Sequence, residues 1–362
     1  MSCETAYKAD NLYKLPIIYV DDIYYLMRNT KKIFEVGNNL LPAIAYGDSA
    51  GLAVETKSYH EIRQQYGLVK KLLDIDNPYF SKAKAGSWSD DTQLSLAIAN
   101  SLISKRCFNI DSIADWHIKA LNSTPSILVD GIKKPQGWGQ STWSSIERLK
   151  SRKFNPYNSG DKNRAGNGVL MKLAPLAFWQ AVTPSIDDEE QTVILTRMTH
   201  DSDVAVVASL VHRQVLIDLF NNQIEPNDVL DLSVDLAIQY ENKYLGASDT
   251  ISSLFKKASS YREINEKTFD ILAPKGGFYS PETLVIAYGI FTNSHMFPDN
   301  VFKAVNLGGD SDSIASIIAA MSVMKFGSID EPSDFHLINN RDELSNVGKN
   351  LASVAIKNLE TK

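Results

Sequence analysis

Apolar residues return every three or four positions in segment after segment of this chain, the spacing of buried helix faces. Val204, Val207, Ala208, Val211, Val215, Leu216 and Leu219 form the longest such stripe. Leu94, Ala97, Ile98, Ser101 and Leu102 outline another, and Ile62, Gln65, Tyr66, Val69, Leu72 and Leu73 a third. The same spacing predicts helices near 111–121, 141–150, 170–182, 187–199, 226–242, 248–260, 281–293, 313–326 and 342–358. Buried strands do not alternate with these segments, which argues against an open α/β sheet. The polar stretches 131–140 and 151–166, rich in turn formers, read as loops rather than linkers. The expected fold is all-α.

With 362 residues, 44% of them hydrophobic, the chain can bury a large core. A formal net charge of -6 gives no global attraction for nucleic acid or an anionic membrane. The apolar run Ile314 to Met324 is broken by serines and too short to span a bilayer. The first residues lack a basic region followed by an apolar run. Cys3 and Cys107 are too few for a disulfide framework and are not spaced as a zinc pair. The expectation is a cytoplasmic protein with neither nucleic-acid nor membrane partners.

Two segments concentrate chemistry. GSWSDDTQLSLAIANSL (86–102) places Ser89, Asp90 and Asp91 at the head of an apolar helix. NLGGDSDSIASIIAAMSVMKFG (306–327) does the same with Asp310, Asp312 and Ser313 after two glycines. Helix capping accounts for one such residue at each start, but not for two acids and a hydroxyl packed together twice. Four carboxylates converging on one place would repel unless a cation compensated them. Oxygen ligands of this kind suit Mg²⁺, Mn²⁺ or Ca²⁺ better than zinc. Asp310-Ser311-Asp312 is also the DxD pattern of nucleotide-sugar transferases, a reading that would require an α/β sheet.

Three weaker elements accompany them. AYGDSAGLAVE (45–55) reads as a Gly-Asp turn entering a helix, with Glu55 beyond it. NRAGNGVLMKLAPLAFW (163–179) carries a Gly166-Asn167-Gly168 turn before a helix, whose start can offer N–H groups to a phosphate. TRMTHDSD (196–203) places His200 just before the 203–221 helix. Taken singly, these are ordinary loops and an ordinary histidine.

Together, in this order, the five segments resemble the ADP-ribosylglycohydrolase family over about residues 44–327. The resemblance implies a compact, orthogonal multi-helix bundle with a binuclear Mg²⁺ or Mn²⁺ centre. It implies metal-site roles for Ser89, Asp90, Asp91, Asp310, Asp312 and Ser313. Glu55 matches an acidic residue on a flap over the metals, and Glu55, Asp91 and Asp310 are the catalytic candidates. Asn167, Gly168 and His200 fall where family members contact ADP-ribose; Trp138, Phe278 and Tyr279 fall on loops that resemble the family's ligand cleft. Arg164 and Ala165 depart from the residues usual before the Gly-Asn-Gly turn. The implied activity is removal of ADP-ribose from a modified protein, with arginine favoured as the linkage because Ser313 follows the last aspartate.

Residues 1–40 read as an extension to a domain of residues 41–362. The extension holds five of the fifteen tyrosines and five acidic and five basic residues. Ile23, Leu26, Met27, Thr30, Ile33 and Phe34 fit one helix face within it. Such an arm on such an enzyme resembles bacterial immunity proteins that block ADP-ribosyltransferase toxins. A non-catalytic protein that binds ADP-ribosylated partners is the alternative.

Overall fold

Residue 20 to residue 360 of the computed structural model are described here, apart from Ala247 and residues 294–296, with side chains from residue 30 to residue 359. The first helix, α1 (Val20–Leu52), is followed by α2 (Tyr59–Tyr66), α3 (Asp90–Lys105), α4 (Ile110–Ser123) and α5 (Gln140–Lys150). Then come α6 (Ala174–Val182), α7 (Asp188–Thr199), α8 (Asp203–Phe220), α9 (Val229–Tyr244) and α10 (Ser252–Ser259). The chain ends in α11 (Glu266–Leu272), α12 (Ser280–Thr292), α13 (Phe297–Leu307), α14 (Ser311–Phe326) and α15 (Arg341–Glu360). Strand structure among the described residues is confined to a hairpin of β1 (Ser126–Val129) with β2 (Ile132–Pro135) and a two-residue parallel pair of β3 (Asp161–Lys162) with β4 (His200–Asp201). The fold is all-α, as the helical spacing required.

The centre of the molecule is α14. It is apolar on every side, and each residue from Ser311 to Lys325 is buried. A helix without a polar face must be surrounded, and α1, α8, α12 and α13 pack around it. The closest of these contacts is with α1. Side-chain carbons added at Gly47 and Gly51 would lie 2.5 Å from Ala315 O and 2.2 Å from Asp312 N, so only glycine lets the two backbones approach this far. The segment 45–52 is therefore the last part of α1, not the turn expected from its glycines.

One other expectation changes. The helix face drawn through residues 62–73 ends at Tyr66: Gly67 caps α2 at φ 70°, and Val69 and Leu72 are buried from a loop. The boundary at residue 40 falls inside α1. Ile33, Val36 and Leu40 belong to the core, whereas Phe34 points outward. Lys32 reaches the end of α8, donating to Leu219 O and Phe220 O, where free helix carbonyls favour a cation. The chain before residue 20 and the side chains of Ile23, Tyr24, Tyr25, Leu26 and Met27 lie outside the described residues.

Candidate metal and ligand site

The helix that delivers the first acid cluster, α3, is not capped by its own residues. Ser89 stands at the N-cap position without a side-chain cap bond. Asp48, from the last turns of α1, does that work across the core. It accepts hydrogen bonds from Ser89 N (2.9 Å), Thr92 N (3.1 Å) and Thr92 Oγ1 (2.6 Å). The start of α14 likewise lacks a side-chain cap bond from Asp310. The capping explanation of the two clusters thus fails at both helices, and their carboxylates are left to face one another.

They line one cavity of about 520 Å³. Glu55, Asp90, Asp91, Asp310, Asp312 and Ser313 lie on its wall, with Asn167, Gly168, Met171 and His200 beside them. Ser89 is buried beside them, its Oγ donating to Asp91 Oδ2 at 3.4 Å. Carboxylate oxygens of Glu55, Asp310 and Asp312 lie within 4.8 Å of one another. Asn77 holds Glu55 by donating Nδ2 to Glu55 Oε2 and to Leu52 O, both at 3.0 Å. Asn167 Nδ2 donates to Asp310 Oδ2 at 2.7 Å, so its amide is engaged with the acid rather than free in the cavity.

This concentration of negative charge is costly. Burial, then the Asp310 charge, push Glu55 up to about 8. Burial, followed by neighbouring carboxylates, holds Asp90, Asp91 and Asp312 well above the ordinary aspartate range. Burial raises Asp310 too, and takes Asp48 up to about 6 against the hydrogen bonds it accepts. Asp91 Oδ1 is buried with no hydrogen-bond partner among the described residues. A buried carboxylate oxygen without a donor is the kind of group a cation can satisfy. The donors are all oxygen, which fits a hard divalent ion.

The rest of the cavity is less charged. Gly168 is required by proximity, because a side-chain carbon there would lie 2.7 Å from Thr142 Oγ1 and 3.1 Å from His200 Cε1. Trp138 lines the cavity with its Nε1 donating to Gln93 Oε1 at 3.0 Å, and Phe278, 39% exposed, lines it too. Tyr279 instead lies under Lys275 Nζ, 4.0 Å from the ring centre. Arg164 points to Asp161, largely in solvent. The hairpin of β1 and β2, whose second strand falls in the stretch 131–140 read as loop from the sequence, contributes Ile127, Val129, Lys134 and Pro135.

Asp48 and Asn77 were not singled out as site residues. An aspartate between Gly47 and Gly51, the one charged residue in the stretch 40–54, was the available signal for the first. Asn77 gave none, since its partners, Leu52 and Glu55, are 25 and 22 residues away in sequence.

A helical fold carrying this acid-lined cavity defines a class, and comparison with known proteins gives it a family. The chain belongs to the ADP-ribosylglycohydrolase family, whose model matches residues 40–357. It is 23% identical to ADP-ribosyl-[dinitrogen reductase] glycohydrolase of Rhodospirillum rubrum, over 80% of this chain and 85% of that protein. It is 23% identical to ADP-ribosylarginine hydrolase Tri1 of Pseudomonas putida (strain GB-1), over 79% of this chain and 69% of that protein. A protein of Archaeoglobus fulgidus, described as uncharacterized, is 26% identical over 81% of this chain and 88% of its own length. Among solved structures, one titled "ADP-ribosylglycohydrolase-related protein complex" superimposes with a TM-score of 0.69 at 22% identity, covering 90% of this chain and 99% of that one. That likeness bears on the fold and removes the α/β transferase reading of Asp310-Ser311-Asp312. No described helix is long and apolar enough to cross a membrane.

Proposed function

We propose that this chain is a metal-dependent hydrolase that releases ADP-ribose from arginine in modified proteins. The observation that carries this reading is the meeting of the acid clusters: the heads of α3 and α14, far apart in sequence, bring Asp90, Asp91, Asp310 and Asp312 to one cavity beside Glu55. In this reading Ser89, Asp90, Asp91, Asp310, Asp312 and Ser313 hold two Mg²⁺ or Mn²⁺ ions. When bound, such ions would offset the carboxylate charge and polarise water and the ribose hydroxyls.

Glu55, steadied by Asn77, takes a proton from the attacking water. The water oxygen bonds to the anomeric carbon as the bond to the guanidino nitrogen breaks with oxocarbenium character. The departing guanidine receives the proton and leaves as a guanidinium ion. Asn167 keeps Asp310 oriented, Gly168 and His200 face the diphosphate, and Trp138 and Phe278 flank the flat parts of the ligand. Arginine is supported by Ser313 and by the relatives named as ADP-ribosylarginine hydrolases in Pseudomonas putida and Serratia proteamaculans. Incubation with arginine-linked and serine-linked ADP-ribosyl proteins tests this. Faster release from arginine is expected; the reverse would discard the reading of Ser313, and no release from either would favour the non-catalytic binding alternative.

We further propose that the N-terminal segment binds and occludes an ADP-ribosyltransferase toxin in the cytoplasm, while the core reverses the modification. Its tyrosines support this, since each joins a large apolar area to a polar tip. Because Lys32, Ile33 and Val36 are packed on the core, the segment to remove is 1–19, which carries Tyr7, Tyr13 and Tyr19. The truncated protein is expected to hydrolyse normally and to lose toxin binding. Toxin binding as tight as that of the intact chain would overturn this part.

A further inference from the structure

Behind the cavity wall, three side chains form one hydrogen-bonded row. Lys172, wholly buried in the turn before α6, places Nζ 3.3 Å from Thr199 Oγ1. Thr199 Oγ1 lies 2.9 Å from His200 Nδ1. The other ring nitrogen, Nε2, faces the Gly166-Asn167-Gly168 loop, 3.5 Å and 3.4 Å from where side-chain carbons on Gly166 and Gly168 would stand. His200 is thus a cavity residue on one edge and part of an internal row on the other.

The direction of the row follows from counting protons. Thr192 and Thr196, earlier on α7, give their hydroxyl protons to carbonyls four residues back, Asp188 O and Thr192 O. Thr199 is the last residue of α7, and its Oγ1 turns instead to the imidazole. A lysine Nζ–H donates, and the hydroxyl oxygen accepts with a lone pair. The oxygen has a second lone pair as well, so the proton's direction rests on its acceptors: among the described residues Nδ1 is the acceptor within hydrogen-bond reach of Thr199 Oγ1, and the single hydroxyl proton is directed there. A neutral imidazole carries one N–H, and when Nδ1 accepts, that proton sits on Nε2.

We propose that Lys172 and Thr199 are positioning residues that lock His200 in its Nε2–H tautomer, making it an uncharged donor to a diphosphate oxygen of ADP-ribose. The inference rests on the ADP-ribose reading above for the ligand, and on the row alone for the tautomer. The opposite tautomer would turn a lone pair toward the phosphate. Burial, then the nearby Lys172 charge, hold the imidazole down to about 3, so the ring is neutral at physiological pH. A neutral donor of this kind therefore depends on the tautomer, not on protonation.

The tautomer is measured in the full-length, ligand-free protein labelled with ¹⁵N-histidine, the six histidines being distinguished by a His200→Asn control. Long-range ¹H–¹⁵N correlation at pH 7.5 is expected to show His200 protonated at Nε2. Thr199→Val is expected to lose that fixed pattern and to weaken ADP-ribose binding about tenfold, as removal of one hydrogen bond of this kind does. Thr199→Ser and Lys172→Arg are expected to keep both. A wild-type signal from Nδ1–H overturns the row at once, whether or not any variant folds. A Thr199→Val protein with the wild-type pattern and affinity overturns the positioning role. If ADP-ribose fails to bind the wild-type protein while Nε2–H is observed, the ligand reading falls and the row stands.

Discussion

Gly51→Ala sets two effects of known sign against each other. In an exposed helix, alanine is favoured over glycine by about 1 kcal/mol, so propensity alone favours a more stable protein. Packing opposes this. The added carbon would stand 2.2 Å from Asp312 N and 2.3 Å from Asp312 Cα and Ser311 C. All three are backbone atoms in the first turn of α14, so rotation of a side chain relieves nothing. Restoring ordinary contact requires α1 and α14 to separate by about 1.2 Å in a close-packed interior. Overpacking of this kind costs about 1–3 kcal/mol, enough to cancel or exceed the propensity gain. The separation also stretches the bond from Ser311 Oγ to Gly51 O, now 2.9 Å, and carries Asp312 away from Glu55. Displacement of a catalytic group by about 1 Å lowers turnover on the order of 100-fold. Urea denaturation and turnover at saturating Mn²⁺ measure the two consequences. A variant more stable than wild type with undiminished turnover would show that the α1–α14 contact does not set the acid geometry.

Three further outcomes are expected at Asp48, Asn77 and His212. Asp48→Ala strands Ser89 N and Thr92 N in the interior and is expected to cost about 2–4 kcal/mol by urea denaturation; an unchanged midpoint would remove Asp48 as the cap of α3. Asn77→Ala frees Glu55 without touching the other carboxylates, so kcat should fall about tenfold or more with KM little changed; a change confined to KM would place Asn77 in ligand binding instead. His212 is buried against the Tyr288 hydroxyl, and burial holds it down to about 3 from 6.5. Its contribution to stability is complete above pH 6.5 and is lost as pH falls toward 3, because only the unfolded chain takes up the proton in that window. His212→Gln should flatten the slope there by about 1.4 kcal/mol per pH unit, and parallel wild-type and variant curves would contradict the assignment.

Sequence spacing located the elements whose signals are local. The heads of α3 and α14 are marked by neighbouring acids and by apolar residues immediately downstream, and both were legible, as was the stripe of α8. The course of α1 was not, because Gly37, Pro42, Gly47 and Gly51 are poor interior helix residues; the last two are there for closeness to α14, a cause visible only once the helices are side by side. The face drawn past Tyr66 failed for the opposite reason: Val69 and Leu72 are apolar because they are buried, but a left-handed Gly67 had already ended the helix. The short α11 and the helix α13 before Gly308 went unmarked. Within the site, the acids declared themselves, whereas their supports, Asp48 and Asn77, act on residues distant in sequence and carry no local pattern.

The central claim is that the paired acid clusters form a metal-dependent hydrolytic centre, and one measurement addresses it directly. Arginine-ADP-ribosylated protein is incubated with wild type, Asp91→Ala and Asp312→Ala, each stripped with chelator and then supplied with Mg²⁺ or Mn²⁺, and released ADP-ribose is quantified. Release is expected from the wild type only, only with added metal, while both variants stay folded by circular dichroism and melt no lower than the metal-free wild type, because each removes one of several repelling buried charges. Release by the stripped wild type, or near-normal turnover by either variant at low free metal, would contradict it.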